Sequence, residues 1–120
     1  MKREMELIRE LLLALETAPV VRAQEQFKIE GYTQEQVNYH AGLLIEAGLA
    51  EGQGLCTMGQ PIPKYTLFKL TWNGHEFLDA ARDDRRWKTA MVKVAEMGGT
   101  VTIGVLQSVL VGVMKAQFGI

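Results

Sequence analysis

At 120 residues, with 48% hydrophobic and 22% charged side chains, the chain has the composition of one globular domain and excludes a disordered polymer. A domain of this size buries roughly two-thirds of the surface its unfolded chain exposes, enough for a continuous apolar core. The formal charge of −1 supplies no global field to concentrate nucleic acid or anionic lipid, and the single cysteine, Cys56, excludes an internal disulfide framework and suits a reducing, cytoplasmic setting.

The opening, MKREMELIRELLLALE, sets basic residues before a leucine run, as a signal peptide does. Glu4, Glu6, Arg9 and Glu10 interrupt that run at helical spacing, so an amphipathic helix over about 3–17 is expected instead. Met5, Ile8, Leu11, Leu12 and Leu15 form its apolar stripe, and Arg3, Glu6, Arg9, Glu10 and Glu16 fall mainly outside it. Pro19, which lacks an N–H and clashes with the preceding turn, ends the helix. In QEQFKIEGY, Phe27 and Ile29 alternate with Gln26, Lys28 and Glu30, the period of a short strand with one buried face.

Gly31 and Tyr32 turn the chain into a second helix. Thr33 and Gln36 carry the capping-box spacing, in which each side chain satisfies a free backbone N–H at the helix start. Val37, His40, Ala41, Leu44 and Ala47 give this helix its inner face, and Gly48 closes it. Residues 49–57 and 65–71 read as two strands of a hairpin, joined by MGQPIPK, whose Pro61 and Pro63 cannot donate ladder bonds. Thr71 or Asn73 starts a third helix, with Asn73 and Glu76 repeating the capping-box spacing.

RDDRR then breaks the apolar pattern near Arg82–Asp84. Trp87, Met91 and Val94 mark a fourth helix, which Gly98 and Gly99 end, and Thr102 caps a fifth. In that last helix Ile103, Leu106, Leu110 and Val113 share one side, with Val105 and Val109 beside them. No charge occurs over 97–114, but the glycines, Thr100, Thr102, Gln107 and Ser108 dilute the run, so a buried helix is expected and no membrane association. The organisation is one domain over 1–82 and a helical extension over 83–120.

Helix, short strand, helix, two-stranded hairpin, helix is the element order of a winged helix. NYHAGLLIEAGLAE is similar to the segment of metal-sensing-type repressors in which a histidine and a leucine-rich turn lead through Ala-Gly-Leu into the wing. LTWNGHEFL resembles the Leu-Thr-x-x-Gly sequence that leaves the wing in multiple-antibiotic-resistance-type regulators. Over nearly the whole chain, MKREMELIRELL, IEGYTQEQVNYHAGLLIEAGL and LTWNGHEFLDAARDDRRW with a Gly-Gly tail resemble a phage- and prophage-associated family known only as a domain of unknown function. That resemblance implies an α+β, winged-helix-like, helix-turn-helix-like fold in a small bacterial or phage protein, and no established activity.

Two features depart from a DNA-reading winged helix. Pro19, the strand-like alternation and Gly31 leave little room for the short helix that normally precedes the recognition helix. The other is electrostatic: Lys28 and Lys64 are consecutive basic residues, and the window between them holds Glu30, Glu35, Glu46 and Glu51. Phosphate neutralisation supplies much of the affinity of DNA binders, and each contact needs a donor, preferably cationic. A DNA-binding reading would rest on Gln34, Gln36, Asn38 and Tyr39 at base edges, with Lys64 and Lys69 on the wing.

Other chemistry is thin. His40, Cys56 and His75 have no zinc-site spacing, and His75-Glu76 lacks the second histidine of a zinc-protease helix. Gly52, Gly54 and Gly59 lack the Lys-Ser/Thr ending of a phosphate loop, and Asp79, Asp83 and Asp84 sit beside arginines that pair them. No catalytic, metal or cofactor residue is assigned, and no cofactor is expected. The fifth helix is apolar around most of its circumference, so Ile103, Leu106, Val109, Leu110 and Val113 are expected to be covered by the domain or by a second copy, with Gly104 and Gly112 permitting close approach. The expected function is a non-enzymatic regulatory or accessory factor acting on a host or phage protein, as a homodimer. The alternative is a dimeric winged-helix DNA-binding transcriptional regulator.

Overall fold

The structure, a computed structural model, describes residues 1–18 and 27–119. Within them the fold is mixed α+β: α1 (Met5–Thr17), α2 (Gln34–Glu46), the strands β1 (Ala50–Leu55) and β2 (Lys64–Leu70), then α3 (Trp72–Ala81), α4 (Asp84–Glu96) and α5 (Ile103–Gln117). The described residues form two compact units, Met1–His75 and Glu76–Ile120. The charge break at Arg82–Asp84 is the link from α3 to α4, inside the second unit.

In the first unit α1 and α2 pack on each other and on the hairpin. Ile8, Leu11, Leu12 and Leu15 of α1 are buried as the apolar stripe implies, Met5 is only half-buried, and Leu7, outside the expected stripe, is buried as well. Arg9 departs from expectation: it is buried, with Nη1 at 3.8 Å and 3.9 Å from the carboxylates of Glu6 and Glu10. Its long aliphatic stem lets an arginine line an apolar face while flanking carboxylates meet the guanidinium. The helix ends at Thr17, and Ala18 is already extended (φ −66°, ψ 137°). That is the conformation imposed on a residue that precedes proline; Pro19 itself lies outside the described residues.

The expected first strand is not present as such. Gln24–Gln26 lie outside the described residues, while Phe27, Lys28 and Ile29 belong to no strand, and the Ile29 carbonyl accepts from the Tyr32 N–H to close a turn. The alternation was real at the level of burial: Phe27 and Ile29 are half-buried, Lys28 and Glu30 exposed. An extended segment can alternate in burial without a ladder partner. Period alone therefore over-read it.

The capping box of α2 forms as its spacing implies. Thr33 Oγ1 accepts from the Gln36 N–H at 3.1 Å, and Gln36 Oε1 accepts from the Thr33 N–H at 2.9 Å. Val37, His40, Ala41 and Leu44 are buried, Ala47 is exposed, and Gly48 takes the left-handed conformation (φ 73°) that ends the helix. The strands pair antiparallel, with Ala50 opposite Leu70 and Gly54 opposite Tyr65. Between Glu51 and Gly52 the register jumps from Lys69 to Leu67, leaving Phe68 as the extra residue of a β-bulge. Side chains alternate strictly along a strand, so this bulge resets the faces: Leu70 is buried where unbroken alternation from Tyr65 and Leu67 would have turned it outward.

Thr71, not Asn73, caps α3. Its hydroxyl accepts from the Gly74 N–H at 3.0 Å and donates to the Gly48 carbonyl, so one side chain serves the end of α2 and the start of α3. Asn73 is the second residue of the helix, so the Glu76 N–H that its side chain would have to satisfy is already beyond the free first turn. In the second unit Asp83 caps α4 through the Arg86 N–H at 2.8 Å, and Thr102 caps α5 through the Val105 N–H at 3.2 Å. Phe77, Leu78, Trp87, Ala90, Val94, Leu106 and Leu110 are buried.

Candidate functional site

The surface that a DNA-binding reading requires is largely engaged in holding the first unit together. Asn38 engages both polar atoms of its amide: Nδ2 donates to the Pro63 carbonyl at 3.0 Å, and Oδ1 accepts from the Tyr65 N–H at 2.8 Å. Its side chain clamps the second strand of the hairpin to α2. Beside it the Tyr65 ring lies against Gly42, where a Cβ would stand 2.7 Å from Cε2, so only glycine lets the ring seat on the helix. Gln36 completes the capping box, and Tyr39 is half-buried with its ring edge-on to His40, centroids 5.7 Å apart.

Lys69 lies 3.7 Å from the carboxylate of Glu51, its cross-strand partner. Of the six candidate contacts, Gln34 lies on the exposed first turn of α2 and Lys64 at the exposed start of β2. Around α1 the surface is acidic. Glu6, Glu10, Ile29, Glu30, Gly31 and Tyr32 line an open recess. Burial first, and then Glu6, Glu4 and Glu10, raise the Tyr32 hydroxyl above its ordinary pKa.

What the hairpin offers instead is apolar. From Gly52 to Pro63 there is no charged residue, and Leu55, Met58 and Ile62 are exposed, Met58 completely. Phe68 is placed by the bulge, and Trp72 stands on the first turn of α3 with 79% of its surface in solvent. Exposed large apolar side chains are individually common, but aromatic residues in that state are the ones that dominate binding at protein interfaces. These five residues were not singled out in the sequence. The uncharged stretch LCTMGQPIP was a legible signal for Leu55, Met58 and Ile62; the exposure of Phe68 and Trp72 depends on the bulge and on where α3 begins.

The remaining candidates resolve as structural. His40 is fully buried, with Nδ1 at 2.8 Å from the Gln36 carbonyl and Nε2 accepting from the Glu4 N–H at 2.7 Å. Burial lowers its pKa from the ordinary imidazole value, against a smaller upward pull from the Gln36 carbonyl and Glu4. Cys56 is exposed and free, and no group of three or more metal-ligating side chains converges among the described residues. Arg86 joins elements of the second unit: Nη1 donates to the Asp79 and Ala80 carbonyls at 3.1 Å, and Nε to Gln117 Oε1 at 3.3 Å. The amide of Arg86 and nearby arginine charge hold the Asp83 carboxyl below its ordinary pKa.

On α5, Leu106 and Leu110 are fully buried, Ile103, Val109 and Val113 are half-buried, and Val105 is exposed. A Cβ at Gly104 or Gly112 would meet nothing within 4 Å. No helix of the described residues is long and apolar enough to cross a membrane.

These features define a helix-and-hairpin unit of mixed α+β class whose helix face is engaged and whose hairpin tip is uncharged and exposes apolar side chains. The chain belongs to the family described as "Hypothetical protein (DUF2513)", whose model matches residues 2–100. It is similar to a protein of Haemophilus influenzae (strain ATCC 51907 / DSM 11121 / KW20 / Rd) described as "Uncharacterized protein", at 32% identity over 112 residues, covering 91% of this chain and 92% of that one. No solved structure matches it.

Proposed function

We propose that this chain is a non-enzymatic regulatory or accessory protein of bacterial or phage origin, which uses a winged-helix-like frame to bind another protein. In the phage case the partner is a host protein. The observation that carries the reading is a pairing of two facts: Asn38, one of the α2 side chains a base contact would use, is bonded to the hairpin through both polar atoms of its amide, and the hairpin tip is apolar and uncharged. A wing that grips phosphate needs cations at its tip, whereas a protein pocket accepts Met58, Ile62 and an aromatic anchor such as Trp72. In this reading α5 pairs with a second copy across its half-covered valine face, giving a homodimer.

Affinity capture from a bacterial lysate, with and without nuclease, tests the proposal. The same protein is expected to co-purify under both conditions and to be lost with the double variant Met58→Ser, Trp72→Ala. Enrichment of specific DNA fragments instead would favour the second reading, a dimeric winged-helix transcriptional regulator. The exposed Lys64 and Gln34 and the helix–hairpin order support that alternative. Titration with generic duplex DNA at low salt separates the two, since a regulator's binding would weaken steeply as salt rises.

A further inference from the structure

His40 sits on α2 between two partners whose roles chemistry fixes. The Gln36 carbonyl at Nδ1 can only accept, and the Glu4 amide at Nε2 can only donate. Both are satisfied by one form alone, the neutral ring with its proton on Nδ1. A second proton must go onto Nε2, where it would face the Glu4 N–H, donor against donor, and the bond to Glu4 cannot survive it. Glu4 is the residue that opens α1: its carbonyl accepts from the Ile8 N–H at 3.1 Å, and its own side chain makes no cap bond. The start of α1 is thus tied to α2 through the ring of His40.

We infer that His40 is a proton-operated latch: the neutral ring holds the Glu4 amide on α2, and the imidazolium releases it and the first turn of α1 in mild acid. The inference does not depend on what the protein binds. The charged groups acting on the ring are Glu4 and Arg3, both from the segment leading into α1, while α2 contributes the uncharged Tyr39. Desolvation is the largest influence and Arg3 adds to it, so the closed state takes up a proton less readily than the open one. The latch is therefore fully closed above the ordinary imidazole value of about 6.5 and is lost as pH falls through the lower value of the closed state.

Nuclear magnetic resonance on the full chain tests this. At about pH 7.5 the imidazole nitrogens should report the proton on Nδ1. Between the open-state and closed-state values, the Glu4 amide protection factor should fall about tenfold per pH unit, while amides in the middle of α2 stay protected. In His40→Gln, which keeps a donor and an acceptor but does not titrate, that pH dependence should vanish. A proton on Nε2 at neutral pH, a Glu4 protection factor that does not change down to about pH 5, or loss of all amide protection together would each overturn the latch. Should His40→Gln not fold, the titration of the unaltered chain decides by itself.

Discussion

The hairpin region of the first unit and α5 of the second contrast in how their side chains are used. Around the hairpin, long-range hydrogen bonds dominate: Asn38 reaches Pro63 and Tyr65, Thr71 reaches Gly48, and the bulge at Phe68 resets the faces so that Leu70 goes inward. On α5 the described polar bonds are local, at the Thr102 cap and the Ser108 hydroxyl to the Gly104 carbonyl, apart from the Arg86–Gln117 contact at its end. The first region has its geometry specified by directional bonds. The second is specified by burial of two leucines, which fixes that the helix is held but says little about what meets its other side.

The contrast can be broken or sharpened by substitution. The largest effects are expected where the regions behave alike, in their cores. Leu11→Ala and Leu110→Ala each remove a fully buried side chain, at a cost of about 2–5 kcal/mol in denaturant unfolding. A loss of under about 1 kcal/mol for Leu110→Ala would mean that α5 is not anchored as its burial implies.

Next is Asn38→Leu, which leaves the Pro63 carbonyl and Tyr65 N–H without their partner and is expected to cost about 1–3 kcal/mol. It should also loosen the hairpin ahead of α1, seen as selective loss of amide protection at Tyr65. Equal loss across the domain would remove the clamp from the account. Thr33→Ala takes away one half of the capping box and should cost about 1 kcal/mol. Smallest for the monomer is Val105→Ser on the exposed side of α5, within about 0.5 kcal/mol. If α5 is a dimer seam, the same substitution lowers the solution mass at micromolar concentration; an unchanged monomeric mass in the parent chain would end that part of the proposal.

The helices were legible from the residues, and for a physical reason visible in each. The Thr33–Gln36 box and the Thr102 cap are bonds between groups three residues apart, so their spacing carries their geometry. Glycines at the ends of α2 and α4 were legible because a left-handed backbone excludes most side chains: Gly48, Gly98 and Gly99 all have positive φ. The strand expected around Phe27 and Ile29 failed because alternation reports burial and not pairing. Asn73 failed as a cap because Thr71, two residues earlier, had a carbonyl within reach at Gly48 that the local spacing does not record. The candidate base-contacting residues were read from a helix in isolation, where an exposed-looking amide has no visible competitor.

By itself the sequence determined the α+β class, the place of the helices, the caps of α2 and α5, the hairpin, and an uncharged stretch at its tip. These follow from local hydrogen bonding and from the hydrophobic period of each segment. Tertiary structure alone decided that Asn38 holds the hairpin, that His40 holds the start of α1, that Arg9 is buried, and that Phe68 is the bulged residue. Each of those depends on which groups distant along the chain arrive within bonding distance, and a one-dimensional pattern does not encode that meeting.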